Sequence, residues 1–178
     1  MSRKQLLLLF IGILVPWTVG NGLLPILPVY ASELGASESE AGYCISFAFV
    51  ALAAGTILAG WLSDKFQRRK LLLIVAGSIG IPSLWLMGRV RNVWQLAGTT
   101  AAVWLSIGVA LSIITVLVGL SAGKEKRGRL LGFIGMTSGI GSMIGGLSVG
   151  PIIDRWGYPA MFATLSIFSI VLLSLIHI

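Results

Sequence analysis

The charges of this sequence are densest between Gly60 and Lys70, in a stretch that lies between two long apolar runs. A carboxylate there can face the positive N-terminal end of a helix, a contact worth about 0.3–1 kcal/mol at an exposed site. The neighbouring bases can pair with acids or with lipid phosphates. The alternative is that these charges only anchor the chain in a membrane, but anchoring would not require a glycine or an aspartate. The residues concerned are Gly60, Asp64, Lys65, Arg68 and Arg69.

The remaining sequence offers no group of residues suited to catalysis. Cys44 is the single cysteine and lies in an apolar run, and His177 is the single histidine. Neither has the spacing of a disulfide, a metal site or a nucleophile with a base. We therefore expect no enzyme, no cofactor and no metal. The net charge of +7 is compatible with nucleic-acid binding, but bases in short loops beside apolar runs are topology signals, so we expect no nucleic-acid partner.

The elements that position these residues are membrane helices. The 178 residues are 56% hydrophobic and 11% charged, with a mean hydropathy of +0.96. A helix needs about 20 apolar residues to cross a bilayer, and continuous runs without alternation exclude barrel strands. The sequence predicts an all-α protein of the lipid bilayer with six transmembrane helices, at about 5–30, 41–62, 71–87, 93–122, 130–153 and 160–178.

The distribution of bases predicts the orientation of these helices. With the N-terminus in the cytoplasm, ten of the thirteen Lys and Arg residues lie on the cytoplasmic side. Only Arg89, Arg91 and Arg155 then lie outside, while three of the six acids fall in the first outer loop. Positive residues favour the cytoplasmic side, so we expect a multi-pass protein of the cell inner or plasma membrane with a cytoplasmic N-terminus.

Two segments of the chain resemble each other. The residues from Gly60 to Phe66 and from Gly150 to Trp156 share a glycine, an aspartate, a base and an aromatic residue at matched spacing. The first segment ends the second span and the second ends the fifth, on opposite membrane faces. This relation supports an inverted repeat of three plus three helices.

The pattern G-x-x-x-D-K/R-x-x-R/K-R at Gly60–Arg69 resembles the signature loop between helices 2 and 3 of the major facilitator superfamily of secondary transporters. Gln67 departs from it, because a small residue, most often glycine, is common there, so the tight turn of the family is not favoured by the sequence. The resemblance covers the whole chain and one half of the usual twelve-helix fold. It implies an N-terminal six-helix bundle that lacks its C-terminal bundle, with a small-molecule substrate bound between the two bundles and the signature loop acting as a gate. The last residues, 173–178, do not resemble a finished C-terminus, and we expect a fragment.

The glycine-rich fifth span resembles in part the helix-5 motif of exporters, G-x-x-x-G-P-x-x-G-G. Two glycines fit, a third replaces the proline, and Val149 replaces one glycine, which weakens an assignment as an antiporter. The alternative is a packing face, because small residues allow helices to approach closely. The residues of this motif are Gly141, Gly145, Gly146, Gly150 and Pro151.

The candidate substrate-lining residues are Trp17 and Asn21 in the first span and Trp104 and Ser106 in the fourth. Asn21 is suited to a substrate hydrogen bond, or alternatively to a bond with a neighbouring helix. Trp104 stands where many proton-coupled members carry a buried arginine, and lipid- or helix-facing placement is an equal alternative for the fourth-span pair. The predicted function is transport of a small solute by alternating access, as an exporter or otherwise. The alternative is a half-size, non-transporting membrane protein that assembles with a partner.

Overall fold

The computed structural model describes residues 3–121 and 127–176, with side chains over 5–120 and 128–170. Within these ranges the chain forms helices and no strand, so the predicted all-α class is confirmed. A second basic loop is expected at residues 123–129; its residues 123–126 lie outside the described residues, as does His177, while 127–129 are helical. The helices are α1 (Arg3–Leu23), α2 (Ile26–Glu33), α3 (Glu38–Phe66), α4 (Arg69–Met87), α5 (Val93–Ser121) and α6 (Arg127–Ile176).

In the described part of the chain five helices are long and apolar enough to cross a membrane, and the last of them is broken once. Within α6, Gly157 has a φ of 76° and a ψ of 174°, which no helical residue adopts. This residue divides α6 into a first arm, 127–156, and a second arm, 158–176. The turn predicted from Asp154 to Pro159 is thus confined to a single residue, and the two arms complete a bundle of six membrane helices.

The first predicted span is interrupted at its outer end. The helix ends at Leu23, and Pro25 precedes the separate short helix α2. Proline has no backbone N–H and its ring clashes with the preceding turn, so a helix that meets it bends or stops. The predicted span at 5–30 is therefore a helix, a break and eight further helical residues.

Local hydrogen bonds fix the starts of α3 and α5. Ser37 Oγ accepts from the Glu40 backbone N–H over 3.3 Å, while a Glu40 carboxylate oxygen accepts from the Ser37 N–H over 2.8 Å. This reciprocal pair is a capping box. At α5, Asn92 Oδ1 accepts from the Gln95 N–H over 2.9 Å. Both helices start at a side chain that satisfies an otherwise unpaired backbone donor.

Small residues bring the long helices together in pairs. A side chain on Gly55 of α3 would overlap the carbonyl of Leu105 in α5, and one on Gly108 of α5 would overlap the carbonyl of Leu52 in α3. These reciprocal contacts place the two backbones in direct contact, as small residues do in membrane bundles. Helix α1 packs in the same way against the first arm of α6, and α4 lies against α5 and α6.

Candidate functional site

The connection between α3 and α4 is shorter than the sequence predicts. Only Gln67 and Arg68 are non-helical, because α3 continues to Phe66 and α4 begins at Arg69. The expectation of a charged loop over the whole stretch is thus wrong in its extent. Charged residues mark where the chain leaves the apolar layer, but a helix continues into water as long as its backbone hydrogen bonds are satisfied.

Gln67 forms the tight turn that the sequence did not favour. Its φ of 52° and ψ of 12° place it in the left-handed region, and its N–H donates to the Ser63 carbonyl over 3.0 Å. This conformation destabilises a residue with a side chain by about 1–2 kcal/mol. The turn therefore forms without the glycine that is common at this position, and local hydrogen bonds offset the energy of the left-handed conformation.

The basic residues around this turn have different environments. Arg69 Nε donates to Oγ of the buried Ser63 over 3.1 Å. The Lys65 ammonium lies 4.8 Å from the ring centroid of Trp61. Arg68 and Lys70 are exposed, and neither has a hydrogen-bond or ion-pair partner in the described part of the chain. The turn thus contains one anchored base and two bases that are open to external ligands.

Gly60 and Asp64 lie one helical turn apart on α3. Asp64 is exposed and has no hydrogen-bond or ion-pair partner among the described residues. A side chain added at Gly60 would meet no atom within 4 Å. Residues four apart share one face of a helix. This bundle therefore leaves a patch of α3 uncovered that carries one carboxylate and has room for a close approach.

The two similar segments of the sequence also have similar geometry. Gln67 follows Phe66 with a φ of 52°, and Gly157 follows Trp156 with a φ of 76°. The Arg155 guanidinium lies 5.3 Å from the Trp156 ring centroid, and the Lys65 ammonium lies 5.5 Å from that of Phe66. Each segment is thus followed by a residue with a positive φ, directly after a base and an aromatic residue. In both cases this residue separates one helix from the next.

The candidates in α1 both lie against the first arm of α6. Asn21 Nδ2 donates to Ser142 Oγ over 2.7 Å, which is the bond to a neighbouring helix that was one of its two expected roles. Trp17 packs where Gly141 leaves room, since a side chain on that glycine would lie 2.9 Å from the Trp17 Cβ. Both Asn21 and Trp17 remain partly exposed, so each is also accessible from outside the bundle.

The candidates in α5 face the interior of the bundle. Trp104 is 2% exposed, and its ring lies 5.5 Å from that of Phe49 and against Gly20. Among the described residues its buried indole N–H has no acceptor, and the hydroxyl of Thr100, one turn earlier, has no partner either. Ser106 donates to the Ala76 carbonyl of α4 over 2.6 Å. Ser106 thus joins two helices, whereas Trp104 keeps an unused donor. Thr100 was not predicted from the sequence, because a threonine in an apolar run carries no signal of its own.

A cavity of about 60 Å³ lies beside these residues, among α1, α4, α5 and α6. Its walls are apolar apart from two hydroxyls, those of Ser106 and Ser169. This volume accommodates a few waters at most. The cavity is therefore a packing defect inside the bundle and too small for a solute.

The glycines of the first arm of α6 divide into two groups. A side chain on Gly145 would overlap the Thr18 carbonyl of α1, and one on Gly141 would press on the Thr18 backbone. Gly146 and Gly150 have nothing within 4 Å of an added side chain, and Pro151 is exposed. Packing thus accounts for the first two positions and leaves the other three unexplained by contacts within this bundle. Val149, which replaces a glycine of the motif, is buried against Gly22.

An aromatic cluster that the sequence did not indicate closes the opposite end of the bundle. The Tyr30 and Tyr158 rings stack with centroids 4.5 Å apart. Tyr30 donates to the Met87 carbonyl over 3.1 Å, and Tyr158 donates to a Glu33 carboxylate oxygen over 3.0 Å. Burial, with a smaller effect from the Glu33 charge, raises the pKa of Tyr30, which lies in α2 outside the spanning helices. Its hydroxyl therefore stays protonated and joins α2 to α4.

No group of three or more His, Cys, Asp or Glu side chains that could hold a metal occurs in residues 3–121 and 127–176. The chain is a helix bundle with surfaces suited to binding and movement. None of the buried polar groups in the described part of the chain forms a nucleophile with a base.

Sequence comparison identifies relatives along nearly the whole chain. The family model described as Major Facilitator Superfamily matches residues 8–177. The chain is 28% identical over 171 residues to the multidrug resistance protein MdtG of Escherichia fergusonii and to that of Yersinia enterocolitica. Each alignment covers 93% of this chain and 41% of the relative. The chain thus spans about two fifths of the length of the curated relatives it matches.

The fold is similar to that of solved transporters. A peptide transporter POT, crystallised with sulfate, matches with a TM-score of 0.86 at 20% identity, over 98% of this chain and 37% of that one. The proton:xylose symporter XylE matches with a TM-score of 0.71 at 18% identity, over 98% and 44%. At these identities the similarity shows the fold alone, and in both cases less than half of the solved chain is matched.

The family match, the apolar helices and the solved folds agree with one another. Family membership confirms two expectations, an integral multi-pass membrane protein and a chain that is not an enzyme, because the superfamily consists of transporters. The chain belongs to the Major Facilitator Superfamily.

Proposed function

We propose that this chain is one six-helix half of a secondary transporter that moves a small solute across the membrane by alternating access. The observation that carries the proposal is the uncovered patch of Gly60 and Asp64 on α3, which has no partner among the described residues. No base among the described residues pairs with Asp64. We therefore assign it to a contact with a second bundle, which forms when one side of the transporter closes and breaks when it opens.

The gate has a defined mechanical basis in this proposal. Ser63 holds Arg69 through its hydroxyl and Gln67 through its carbonyl, so the ends of α3 and α4 move together. Asp64 then acts at the tip of a rigid pair of helices. A contact with the positive end of a facing helix is worth about 0.3–1 kcal/mol when exposed and up to about 2 kcal/mol when partly buried. A contact of this free energy suits a gate, because it stabilises the closed state and still allows the transporter to open.

We infer that the solutes are apolar or aromatic. The buried polar side chains in the described part are hydroxyls, at Thr18, Ser63, Thr100, Thr137 and Ser166, so no buried charge would pair with an ionic solute. Phe49 is 48% exposed and its ring contacts Trp104, which offers an aromatic surface and, behind it, an indole donor. The relatives from Escherichia fergusonii and Yersinia enterocolitica are named multidrug resistance proteins, which supports export of such compounds.

Measurement of dye efflux tests this function. The complete gene product would be expressed in bacterial cells, and accumulation of ethidium, an aromatic cation, and of chloramphenicol, a neutral aromatic compound, would be followed over time. We expect lower accumulation of both compounds than in cells with the empty vector, because both are aromatic. Equal accumulation of both compounds in the two strains would contradict export of aromatic solutes.

We propose further that the N-terminus is cytoplasmic, because the bases lie on that side under the positive-inside rule. Ser39, at the start of α3, and Lys65, near its end, are both exposed. A cysteine in place of Ser39 should react with a membrane-impermeant maleimide in intact cells, and one in place of Lys65 only after lysis. The unchanged chain is the control, since Cys44 is buried. The reverse accessibility would overturn the orientation.

A further inference from the structure

A basic cavity opens on the surface where α4 begins. Its volume is about 520 Å³, which falls within the range of about 300–1,000 Å³ typical of ligand sites. The wall at one end consists of polar and basic side chains of the turn, and the other end is apolar. The residues that line it are Gln67, Arg68, Arg69, Lys70, Leu71, Ile74 and Leu117.

The described residues that line this cavity carry positive charge and no negative charge. Arg68 and Lys70 have no hydrogen-bond or ion-pair partner in the described part of the chain. Arg69 donates through Nε to Ser63, which leaves the other donors of its guanidinium group. Three cations are thus gathered around one opening, an arrangement that recognises an anion with several oxygen atoms.

The apolar end shows which anion fits. Leu71 and Ile74 continue from the bases along α4, and Leu117 faces them from α5, about one turn before that helix ends at Ser121. Leu71 is 49% exposed. These residues belong to the end turns of membrane helices, the first turns of α4 and the last of α5, where water gives way to hydrocarbon. A ligand seated here therefore has its charge in the interface and an apolar part in the lipid layer.

We propose that this basic cavity binds an anionic phospholipid. The phosphate and headgroup would lie on Arg68, Arg69 and Lys70, with the upper part of an acyl chain on Leu71, Ile74 and Leu117. Clusters of bases at the end of a membrane helix attract anionic lipids, and the apolar half of the cavity distinguishes a lipid from a free phosphate.

Binding of two lipids with the same acyl chains tests the proposal. The complete gene product would be purified in detergent, and its affinity for dioleoyl phosphatidylglycerol and for dioleoyl phosphatidylcholine would be measured by native mass spectrometry. We expect tighter binding of the anionic lipid, and a loss of about tenfold in that affinity for the R68Q/K70Q double variant. The R89Q/R91Q double variant is the matched control, since it removes two exposed bases from the opposite end of α4.

Further outcomes decide between the alternatives. The R68K/K70R variant keeps the charge and should bind phosphatidylglycerol like the unchanged protein. This result would show that the R68Q/K70Q variant loses affinity because it loses charge and not because it misfolds. The proposal is overturned if both double glutamine variants lose the same affinity, or if the two lipids bind equally well. Displacement of the lipid by millimolar inorganic phosphate or glycerophosphoglycerol would also overturn it, because the cavity would then be a site for a free anion.

Discussion

The Arg69 guanidinium donates through Nε to Ser63 Oγ over 3.1 Å, across the turn between α3 and α4. Ser63 is 1% exposed and also accepts the Gln67 N–H through its carbonyl. One buried serine thus joins the last turn of one membrane helix to the first turn of the next. Arg69, expected to act in the gate or as a topology signal, thus has a structural role, and Asp64, next to Ser63, has no partner among the described residues.

Gln67 gives the first prediction, because its backbone conformation resists β-branched residues. We expect Gln67→Val to lower the free energy of unfolding by about 1–3 kcal/mol, since valine is a genuine outlier in the left-handed region. Gln67→Asn is the control and should be neutral, because asparagine tolerates this region. Thermal unfolding of the purified gene product, followed by intrinsic fluorescence, measures both. Equal melting temperatures for the two variants would exclude a strained turn at this position.

The neighbouring glycines of α6 provide a matched pair for the second prediction. Gly145→Ala should destabilise the protein by about 1–3 kcal/mol, because the added methyl would overlap the Thr18 carbonyl and force α1 away. Gly146→Ala should have no such cost, since that position is open, and alanine favours a helix by about 1 kcal/mol over glycine. The two melting temperatures should thus change in opposite directions. A parallel change would show that α1 and α6 do not pack as described.

Gly157 gives the third prediction. Its φ of 76° and ψ of 174° belong to a region that is essentially restricted to glycine. We expect Gly157→Ala to cost about 1–3 kcal/mol and to impair the turn between the two arms of α6. Gly150→Ala, in the helical first arm and in open space, should be tolerated. Membrane-inserted yield and melting temperature would be compared. If the first variant matches the second in both, the break at residue 157 is not required for folding.

The indole N–H of Trp104 gives the fourth prediction. Trp104→Phe keeps most of the ring packing on Phe49 but removes a donor that has no acceptor in the described bundle. Stability should therefore change little. If the N–H binds a solute acceptor, apparent affinity for chloramphenicol should fall about two- to tenfold, the value of one hydrogen bond of about 0.5–1.5 kcal/mol. Trp94→Phe, at a 60% exposed tryptophan, is the control. Unchanged affinity together with a lower melting temperature would assign Trp104 to packing alone.

The helical class was predictable from sequence, because continuous apolar runs leave a membrane chain few alternatives. The ends of the helices were less predictable. Hydropathy placed the second span at 41–62, whereas α3 runs from Glu38 to Phe66, since the capping box at Ser37 and the hydrogen bond from Gln67 lie outside the apolar run. Hydropathy reports the thickness of the lipid layer, while helix ends depend on caps.

Contacts between distant segments were beyond the sequence. The bond between Tyr158 and Glu33 joins residues 125 positions apart, and no local pattern indicates it. Two roles were expected for Asn21, and only the structure brings Ser142 Oγ within 2.7 Å of its Nδ2. A packing face was one of two interpretations of the glycine-rich span as a whole, and the contacts that distinguish Gly141 and Gly145 from Gly146 and Gly150 are visible only in the structure.

The most direct measurement of the central proposal is ethidium efflux by the Asp64→Asn variant of the complete gene product. This change keeps the shape of the side chain and removes its charge. Asp154→Asn is the matched control, because it neutralises the exposed aspartate of the similar segment in α6. The proposal predicts that Asp64→Asn reaches the membrane in normal amounts but accumulates ethidium like the empty vector, while Asp154→Asn retains more of the efflux. Efflux by Asp64→Asn at the rate of the unchanged protein would contradict a gate at Asp64.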